Sequence, residues 1–310
     1  MSYARKAIDV TITLGSGNFG DAGVSNTATF SGLKVSAHIE KKKLSSLDGA
    51  SIKIYGLPQS VLNTVTRLGK PINWVRDNTI TLSAGDIGGG LSQVFVGTII
   101  SSYADFSGMP ETCLNITALN GAYNLAKNAP PVSFPGGGDV VVIAQQIAAN
   151  FTQEVNGVKT VGQDLQNWGV VGNIHSNFYC GGSSIDQLRY LSKAAGIYAV
   201  PNGGPNGTTV EIWPMNGSRG LPTNTPPIIS AATGLVGAPT YSDSGVSLRA
   251  LYQPGLVIGG PFVLKSVVLP GDGTTYYVRS LTYDLESETP DGKWFMSIDA
   301  YLLDDNQGFT

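Results

Sequence analysis

The stretch 246-VSLRALYQPGLVIGGPFVLKS-266 contains two runs with the composition of β-strands, separated by turn residues. In the first run, Val246, Leu248 and Ala250 alternate with residues expected to face outward. This period of two is typical of a strand with one buried face. The stretch contains one Arg and one Lys and no His, Cys, Asp or Glu. We interpret it as a building element of a β-sheet rather than as a catalytic segment.

The same alternation recurs in the first third of the chain and near its end. The apolar positions are Ile8, Val10, Ile12 and Leu14, then Leu33, Val35, Ala37 and Ile39, then Ile52 and Ile54, and finally Leu281, Tyr283, Leu285, Trp294, Met296, Ile298, Ala300 and Leu302. Further strands are predicted at 79–83, 93–100 and 112–119, and 289-TPDGK-293 has the residues of a hairpin turn. These patterns predict antiparallel sheets arranged as barrels or sandwiches.

One helix is predicted within the first third, over residues 58–68. Pro58 suits the first helical position, and Gly69 can end the helix. The apolar face consists of Val61, Leu62, Val65 and Leu68.

The middle of the chain changes to helical periodicity. A helix is predicted over 139–151, capped by Asp139, and another over 185–195, in which Ser184 and Gln187 form a capping box. Gly196 ends the second helix, and a hairpin follows it.

The predicted fold class is therefore mainly β (α+β), with two antiparallel β-barrel-like domains and a small α/β module inserted between them. The boundaries follow the Gly- and Pro-rich linkers: residues 1–125 form the first domain, 126–215 the inserted module and 216–310 the last domain.

The composition excludes several classes of function. Charged residues make up 13% of the chain, against about 25% in ordinary soluble domains, and the net charge is −3. The basic triplet Lys41–Lys43 is the largest basic cluster, so we expect no specific binding of nucleic acid. The chain lacks the apolar segments of a signal peptide or a membrane span, so we expect neither. Cys113 and Cys180 are expected to be reduced thiols of a protein folded in a cytoplasm.

The segment 15-GSGNFG-20 matches the glycine pattern of dinucleotide-binding loops. Such a site also requires a helix directly after the loop, because the helix N-terminus holds the pyrophosphate. The residues that follow are Gly-rich and β-branched, so a hairpin loop is the better interpretation. No cofactor is expected.

Metal binding and nucleophilic catalysis find little support. His175 and Cys180 are five residues apart without a second pair of ligands, and His38 lies on the polar face of a strand. Cys113 falls within a strand, where a packed thiol is expected. We therefore predict no catalytic, cofactor or metal site.

Acidic residues cluster near the C-terminus. Asp284, Glu286 and Glu288 are expected on one strand face, and the others are Asp291, Asp304 and Asp305. A carboxylate pair such as Asp284 and Glu286 can catalyse glycoside hydrolysis. With no apolar residue between them to raise one pKa, they are better interpreted as a hydrated face.

Aromatic residues leave a choice open. The chain has 13 Tyr, and register places Tyr55 and Tyr301 outward. Exposed Tyr and Trp can bind sugars, or they can form contacts in an oligomer. A carbohydrate-binding β-protein is therefore the alternative function.

Three segments together resemble the baseplate hub proteins of contractile-tailed phages. The first is 51-SIKIYGLPQSVLNTVTRLG-69 followed by 80-ITLSAG-85 and 94-VFVGTI-99. The second is 234-GLVGAPTYSDSGVSLRALYQPGLVIGGPFVL-264, and the third is 276-YYVRSLTYDLESETPDGKWFMSIDAYLL-303. The family also resembles the late control protein D group and the base of type VI secretion spikes.

This resemblance implies a structural virion protein without enzymatic activity. It implies a homotrimer whose six β-domains form a pseudo-sixfold ring between a hexameric tail tube, or tube-initiator protein, and a trimeric spike. Baseplate wedge and tape measure proteins are further possible partners, and DNA can pass through the ring. The implied location is the tail baseplate of the virion, assembled in the host cytoplasm. If the ring surrounds DNA, the face of Asp284–Glu288 is the expected lining of its bore.

Overall fold

The computed structural model describes residues 5–19, 25–42, 47–66, 78–155, 158–161, 164–204, 207–221, 225–243, 245–267 and 273–303. These residues form a mainly β structure, which confirms the predicted fold class. Among the described helices, none combines the length and the apolar character that are needed to cross a lipid bilayer.

The first third of the chain contains the alternating strands that the sequence predicts. Its elements are β1 (Lys6–Thr13), β2 (Thr27–Phe30), β3 (Val35–Lys42), β4 (Gly49–Tyr55), α1 (Gln59–Val65), β5 (Thr79–Asp86), β6 (Gly90–Asp105) and β7 (Cys113–Leu119). In β1, β3 and β4 every second residue is buried, because one face of each strand packs on the core.

Helix α1 begins one residue later than predicted. Pro58 has φ −59° and ψ 147°, so its backbone is extended and its carbonyl accepts the first helical hydrogen bond, from Leu62 N at 3.1 Å. The prediction of Pro58 at the first helical position was therefore wrong. The helix ends at Val65, because the backbone of Thr66 is extended, so the prediction that it runs to residue 68 was wrong. Leu68 and Gly69 themselves lie outside the described residues.

The middle of the chain combines short strands with three helices in its described part. Its elements are α2 (Ala122–Ala126), β8 (Val132–Phe134), β9 (Gly138–Asp139), α3 (Val140–Ala148), β10 (Thr152–Val155), β11 (Val158–Val161), β12 (Leu165–Asn167), β13 (Asn173–Ile174), β14 (Phe178–Cys180), α4 (Ser184–Ala195), β15 (Ile197–Gly204) and β16 (Gly207–Pro214). Their apolar side chains form a separate core from Val132 to Ile212.

The caps of these helices test the sequence predictions directly. Asp139 caps α3 as predicted, since its side chain accepts hydrogen bonds from Val141 N at 2.7 Å and from Val142 N at 3.3 Å. The predicted capping box at Ser184 was wrong. Ser183 caps α4 by accepting from Asp186 N at 3.1 Å, while the Ser184 hydroxyl donates to Asn150 O. Gly196 ends α4 with φ 62°, a left-handed conformation that favours glycine.

The last third returns to strands. Its elements are β17 (Ile228–Ser230), a 3-10 turn (Ala231–Thr233), β18 (Leu235–Ser242), β19 (Gly245–Leu251), β20 (Pro261–Lys265), β21 (Thr274–Ser287) and β22 (Trp294–Tyr301). The predicted inward positions of β21 and β22 are buried, whereas Leu302, also predicted inward, is 53% exposed. Leu302 lies beyond the end of β22, where the alternation of the sheet no longer applies.

One sheet joins the first and last thirds of the chain. Its strand order is β18-β19-β22-β21-β3-β4-β7-β6-β5-β1-β2, with β20 also paired to β21 and β17 paired to β20. The link between the two thirds is the antiparallel pairing of β3 with β21. Their buried side chains accordingly form one continuous core.

Within this sheet, the same five-stranded unit occurs twice. The first repeat, β3 to β7, has the order β3-β4-β7-β6-β5, and the second repeat, β18 to β22, has the order β18-β19-β22-β21-β20. Each neighbouring pair within a repeat is antiparallel. The chain therefore contains two copies of one topology, separated by the middle region.

The two repeats also share their register. The long strand of each repeat shifts by one residue against its partner, between Ile99 and Ser101 in β6 and between Val278 and Ser280 in β21. These residues are therefore structural equivalents. One difference is local: Gly237, Ala238 and Pro239 of β18 together occupy the position that one residue of β3 occupies.

Candidate functional site

The pairing of β3 with β21, called the seam from here on, is where the two repeats meet. It extends over eight residue pairs, from Val35 opposite Ser287 to Lys42 opposite Ser280. On the inner face, alternate residues of both strands are fully buried, which excludes water from the seam. The outer face and the Lys42 end carry the ionisable groups.

His38 lies on the outer face of the seam, between two carboxylates. Its Nδ1 is 2.8 Å from Asp284 Oδ1 and its Nε2 is 3.5 Å from Glu40 Oε1. The hydrogen bond to Asp284 raises the pKa of His38, and Glu40 adds to this effect. Protonated His38 therefore links the two repeats electrostatically.

Three residues of the acidic cluster predicted near the C-terminus have hydrogen-bond or ion-pair partners in the structure. Asp284 contacts His38, and Glu286 accepts hydrogen bonds from Lys293 N at 3.0 Å and from the Ser36 hydroxyl at 3.4 Å. Glu288 forms an ion pair with Arg5. The expectation of three acids on one strand face was wrong for Glu288, because β21 ends at Ser287 and the chain turns there with φ 52°. Asp304 and Asp305 lie outside the described residues.

The inner end of the seam carries a partly buried lysine and aspartate. Lys41 shares the inward face of β3 with the apolar core residues, and its Nζ lies 5.7 Å from the centre of the Tyr283 ring. Burial lowers the pKa of Lys41 and raises the pKa of Asp48. Asp48 accepts a hydrogen bond from Lys42 N at 3.1 Å, which joins the end of β3 to the residue before β4.

A cavity of about 250 Å³ opens beside these two residues. Its wall combines the first repeat, the middle region and the loop after β19; the polar lining residues include Lys41, Asp48, Asn120, Asn202, Tyr252 and Tyr283. Burial raises the pKa of Tyr252 to about 12, so its hydroxyl stays neutral at ordinary pH. Asn120, which directly follows β7, donates to Pro201 O at 3.0 Å and so connects the middle region to the first repeat.

A second polar network fixes the middle region against the last third. Glu211 of β16 and Arg219 form an ion pair, and their exposures are 6% and 8%. The same carboxylate accepts hydrogen bonds from Trp168 Nε1 and Asn202 Nδ2, both at 3.1 Å. Arg219 N also donates to Gly259 O, in the loop that precedes β20. Sequence reasoning missed this network, because Trp168 is 43 residues from Glu211 and no strand or helix periodicity indicates that Asn202 and Arg219 contact that carboxylate.

The remaining candidate residues lie apart from the seam. Residues 15–19 form part of the connection between β1 and β2, and no helix follows among the described residues there, which confirms a hairpin loop. Cys113 and Cys180 are buried free thiols, and His175 is exposed. The described residues contain no group of three or more potential metal ligands.

The exposure of the aromatic side chains differs between tryptophan and tyrosine. Trp213 and Trp294 are buried and Trp168 is partly buried, whereas Trp74 lies outside the described residues. Among the tyrosines that the structure describes, Tyr103, Tyr179 and Tyr190 are exposed, at 47%, 63% and 53%. Tyr55 and Tyr301, expected to face outward, are partly buried.

Comparison with protein families gives one match over nearly the whole chain. The family model described as baseplate hub gp41 matches residues 7–298. Curated proteins gave no match in sequence.

Solved structures share the fold at low sequence identity. A tail protein of Neisseria meningitidis MC58 has a TM-score of 0.59 at 10% identity, with 95% of this chain and 96% of that chain covered. The 43 kDa tail protein of prophage MuSo2 from Shewanella oneidensis has a TM-score of 0.56 at 10% identity, covering 94% and 97%. An E. coli type VI secretion component, described as similar to the T4 tail proteins gp27 and gp5, has a TM-score of 0.57 at 13% identity, covering 88% and 74%.

Proposed function

The chain belongs to the baseplate hub gp41 family, and on this premise we propose that it is the homotrimeric hub of a phage tail baseplate. In this function the chain is a structural virion protein and not an enzyme. Three copies contribute six similar β-domains to one ring, which is pseudo-sixfold towards the tail tube and threefold towards the spike.

The observation that carries this proposal is the repeat. Two five-stranded units with the same order and register lie side by side in one sheet, joined at the seam. A chain with two equivalent units is suited to connect a sixfold assembly with a threefold one. We divide it accordingly at residues 125/126 and 215/216, with the middle region as an insert between the repeats.

The proposed partners follow from this position. They are a second and third copy of the chain, the tail tube or tube-initiator protein, and the central spike, with wedge and tape measure proteins as further candidates. The E. coli neighbour, described as similar to two T4 tail proteins, supports a place next to the spike. The chain then resides in the virion tail after assembly in the host cytoplasm, where the free thiols Cys113 and Cys180 remain reduced.

The ring as proposed allows DNA to pass without binding it. The outer face of the seam combines Asp284, Glu286 and Glu40 with His38 and with Lys42, which pairs with Glu40. A face of this charge does not attract phosphate, so we assign it to the bore. A density map that places Asp284 on the outside of the ring would remove this assignment.

Light scattering after size exclusion tests the oligomer directly. We expect three times the mass of one chain for the free chain, or, after addition of the spike protein, a complex that contains three copies of the chain. A map of the tail particle should then show three copies and six five-stranded units around the axis. A chain that stays monomeric in both conditions contradicts the proposal, as does a map that lacks a threefold axis.

A glycan array separates the hub from the alternative, a carbohydrate-binding protein. Saturable binding that disappears in Tyr179→Ala or Tyr190→Ala, but persists in a variant of the buried Tyr283, would favour the alternative. We expect no such binding.

A further inference from the structure

We propose that the turn between β6 and β7, residues 106–112 and called the apolar tip from here on, is the part of each chain that binds the trimeric spike. The inference rests on the proposed function, since it requires three chains that lie between a sixfold and a threefold partner. It assigns one surface to one of these partners through a comparison of the two repeats.

The symmetry of a partner decides which features of the repeats it can use. A sixfold partner meets both repeats in the same way, so it contacts features that the two repeats share. A feature that only one repeat has occurs three times in the proposed ring and therefore matches a threefold partner. Equivalent places at which the two repeats differ are thus expected on the side of the spike.

The apolar tip has an equivalent in the second repeat. Strands β6 and β7 correspond to β21 and β22, so the turn at 106–112 corresponds to the turn at 288–293, called the polar tip. Both turns lie at the same end of the sheet. The residue pairs that connect them across the sheet are Cys113 opposite Tyr55, Ile54 opposite Val35, and Val35 opposite Ser287. In the proposed ring the two kinds of tip therefore alternate along one rim.

The two tips differ in their chemistry. The apolar tip begins with 106-FSGMP-110, which contains no charged residue, and its Phe106 and Met109 are 43% and 72% exposed. The polar tip reads 288-ETPDGK-293 and contains no aromatic residue and no Met, Leu, Ile or Val. Aromatic residues and Met are enriched in protein interfaces. The apolar tip therefore has the composition of a contact surface, and its equivalent does not.

Backbone hydrogen bonds hold the apolar tip in one conformation. Met109 N donates to Phe106 O at 3.3 Å, and Glu111 N donates to Gly108 O at 2.9 Å. At the flank of the turn, Glu111 Oε2 lies 3.4 Å from Lys34 Nζ. A turn that is already formed loses little conformational entropy when a partner binds it. Phe106 and Met109 are thus presented to a partner in a defined position.

The polar tip uses its polar groups within its own chain. Glu288 forms an ion pair with Arg5, and the Thr289 hydroxyl donates to Ser287 O at 3.2 Å. Of the two tips, only the apolar one therefore offers large apolar side chains that a partner can bury.

Photo-cross-linking in assembled tail particles identifies the protein that contacts the apolar tip. Benzoylphenylalanine replaces Met109 in one variant and Ile87 in the matched control, and mass spectrometry identifies each product. Ile87 is 54% exposed and lies in the turn before β6, at the other end of that strand. We expect the Met109 position to cross-link to the spike protein and the Ile87 position not to do so.

A binding measurement with the purified spike protein tests the chemistry of the contact. Met109→Asp places a charge in the proposed contact and should weaken binding at least tenfold, because an unpaired carboxylate is costly to bury. Since Met109 is exposed, the mass of the oligomer and the midpoint of urea unfolding should not change. The controls Ile87→Asp and, in the polar tip, Asp291→Asn should each alter binding less than twofold.

The outcomes separate this inference from the proposed function. A Met109 cross-link to a second copy of this chain or to any tail protein other than the spike, or the absence of a cross-link, overturns the inference and leaves the hub proposal intact. Unchanged binding in Met109→Asp, or an equal loss in Ile87→Asp, also overturns it. A chain that is monomeric with and without the spike protein refutes both.

Discussion

Removal of the Glu211 carboxylate should destabilise the junction between the middle region and the last third. In Glu211→Ala, the Arg219 guanidinium remains 8% exposed without its counter-charge. Trp168 and Asn202 also lose the acceptor of their 3.1 Å hydrogen bonds. Breaking a buried ion pair from one side costs about 3–5 kcal/mol, because a buried charge is left uncompensated. We expect a loss of that size in the free energy of unfolding.

Urea unfolding at fixed protein concentration measures this change. The matched control is Glu111→Ala, which removes an exposed carboxylate 3.4 Å from Lys34 and should cost less than about 1 kcal/mol. The double variant Glu211→Gln with Arg219→Met removes both charges and keeps an acceptor for Trp168. It should lose less stability than Glu211→Ala alone.

A loss for Glu211→Ala no larger than that of the exposed control would refute this reasoning. It would show that water or a nearby group replaces the carboxylate. Hydrogen exchange gives a local check, since amides of β12 and β16 should exchange faster in Glu211→Ala while those of the seam stay protected.

Three smaller predictions concern the seam, a close contact and a helix cap. The neighbouring carboxylates raise the pKa of His38 in the folded state, so protonated His38 stabilises the fold. This stabilisation is complete below the ordinary histidine pKa of about 6.5 and disappears as pH rises through the raised pKa. Being half exposed, it contributes less than about 1 kcal/mol, and a urea series against pH should become flatter by that amount in His38→Gln. Gly220→Ala places a Cβ 2.1 Å from the Trp168 ring and should cost about 1–3 kcal/mol, whereas Gly89→Ala, with its nearest contact at 3.6 Å, should change stability by less than about 0.5 kcal/mol in the same assay. Asp139→Ala removes the cap of α3 and should cost about 1 kcal/mol in thermal or urea unfolding, and no loss there would contradict its role.

The strands could be predicted because a half-buried strand alternates in every residue. Val246, Leu248 and Ala250 are buried as the alternation indicates, and the same holds for the apolar positions of β1 and β3. The prediction fails beyond the end of a strand, as at Leu302. Side chains alternate between the two faces only as long as the strand is hydrogen-bonded to its neighbour. Helix caps depend on single hydrogen bonds, and neighbouring serines such as Ser183 and Ser184 are indistinguishable by type.

The repeat was invisible to a sequence comparison, although a faint signal exists once the register is known. β4 reads GASIKIY and β19 reads GVSLRAL, so Gly, Ser and a basic residue recur at the same positions. Three identical or similar residues are too few to detect the repeat by comparing the two sequences without the structure. Packing of a sheet restricts the polarity of a position more strictly than its residue type. The seam required the pairing of residues about 245 positions apart, which no local pattern encodes.

The buried charges of the junction are the part that sequence could not locate. Lys41 belongs to the basic triplet of the sequence, yet it shares the inward face of β3 and lines the cavity. Arg219 lies among Gly and Pro residues without an alternating pattern that would predict its burial. The carboxylates near them, Asp48 and Glu211, are only seven and eight residues away in the chain, but no strand or helix periodicity indicates these pairs.

The placement of the middle region has a consequence for stoichiometry. It occurs once in a chain that contains two equivalent five-stranded units, so any assembly that uses both units alike carries one such module for every two units. Alternate positions around the assembly then differ in outline although their strands are the same. A partner that binds the middle region therefore has half as many binding sites as a partner that binds the five-stranded units.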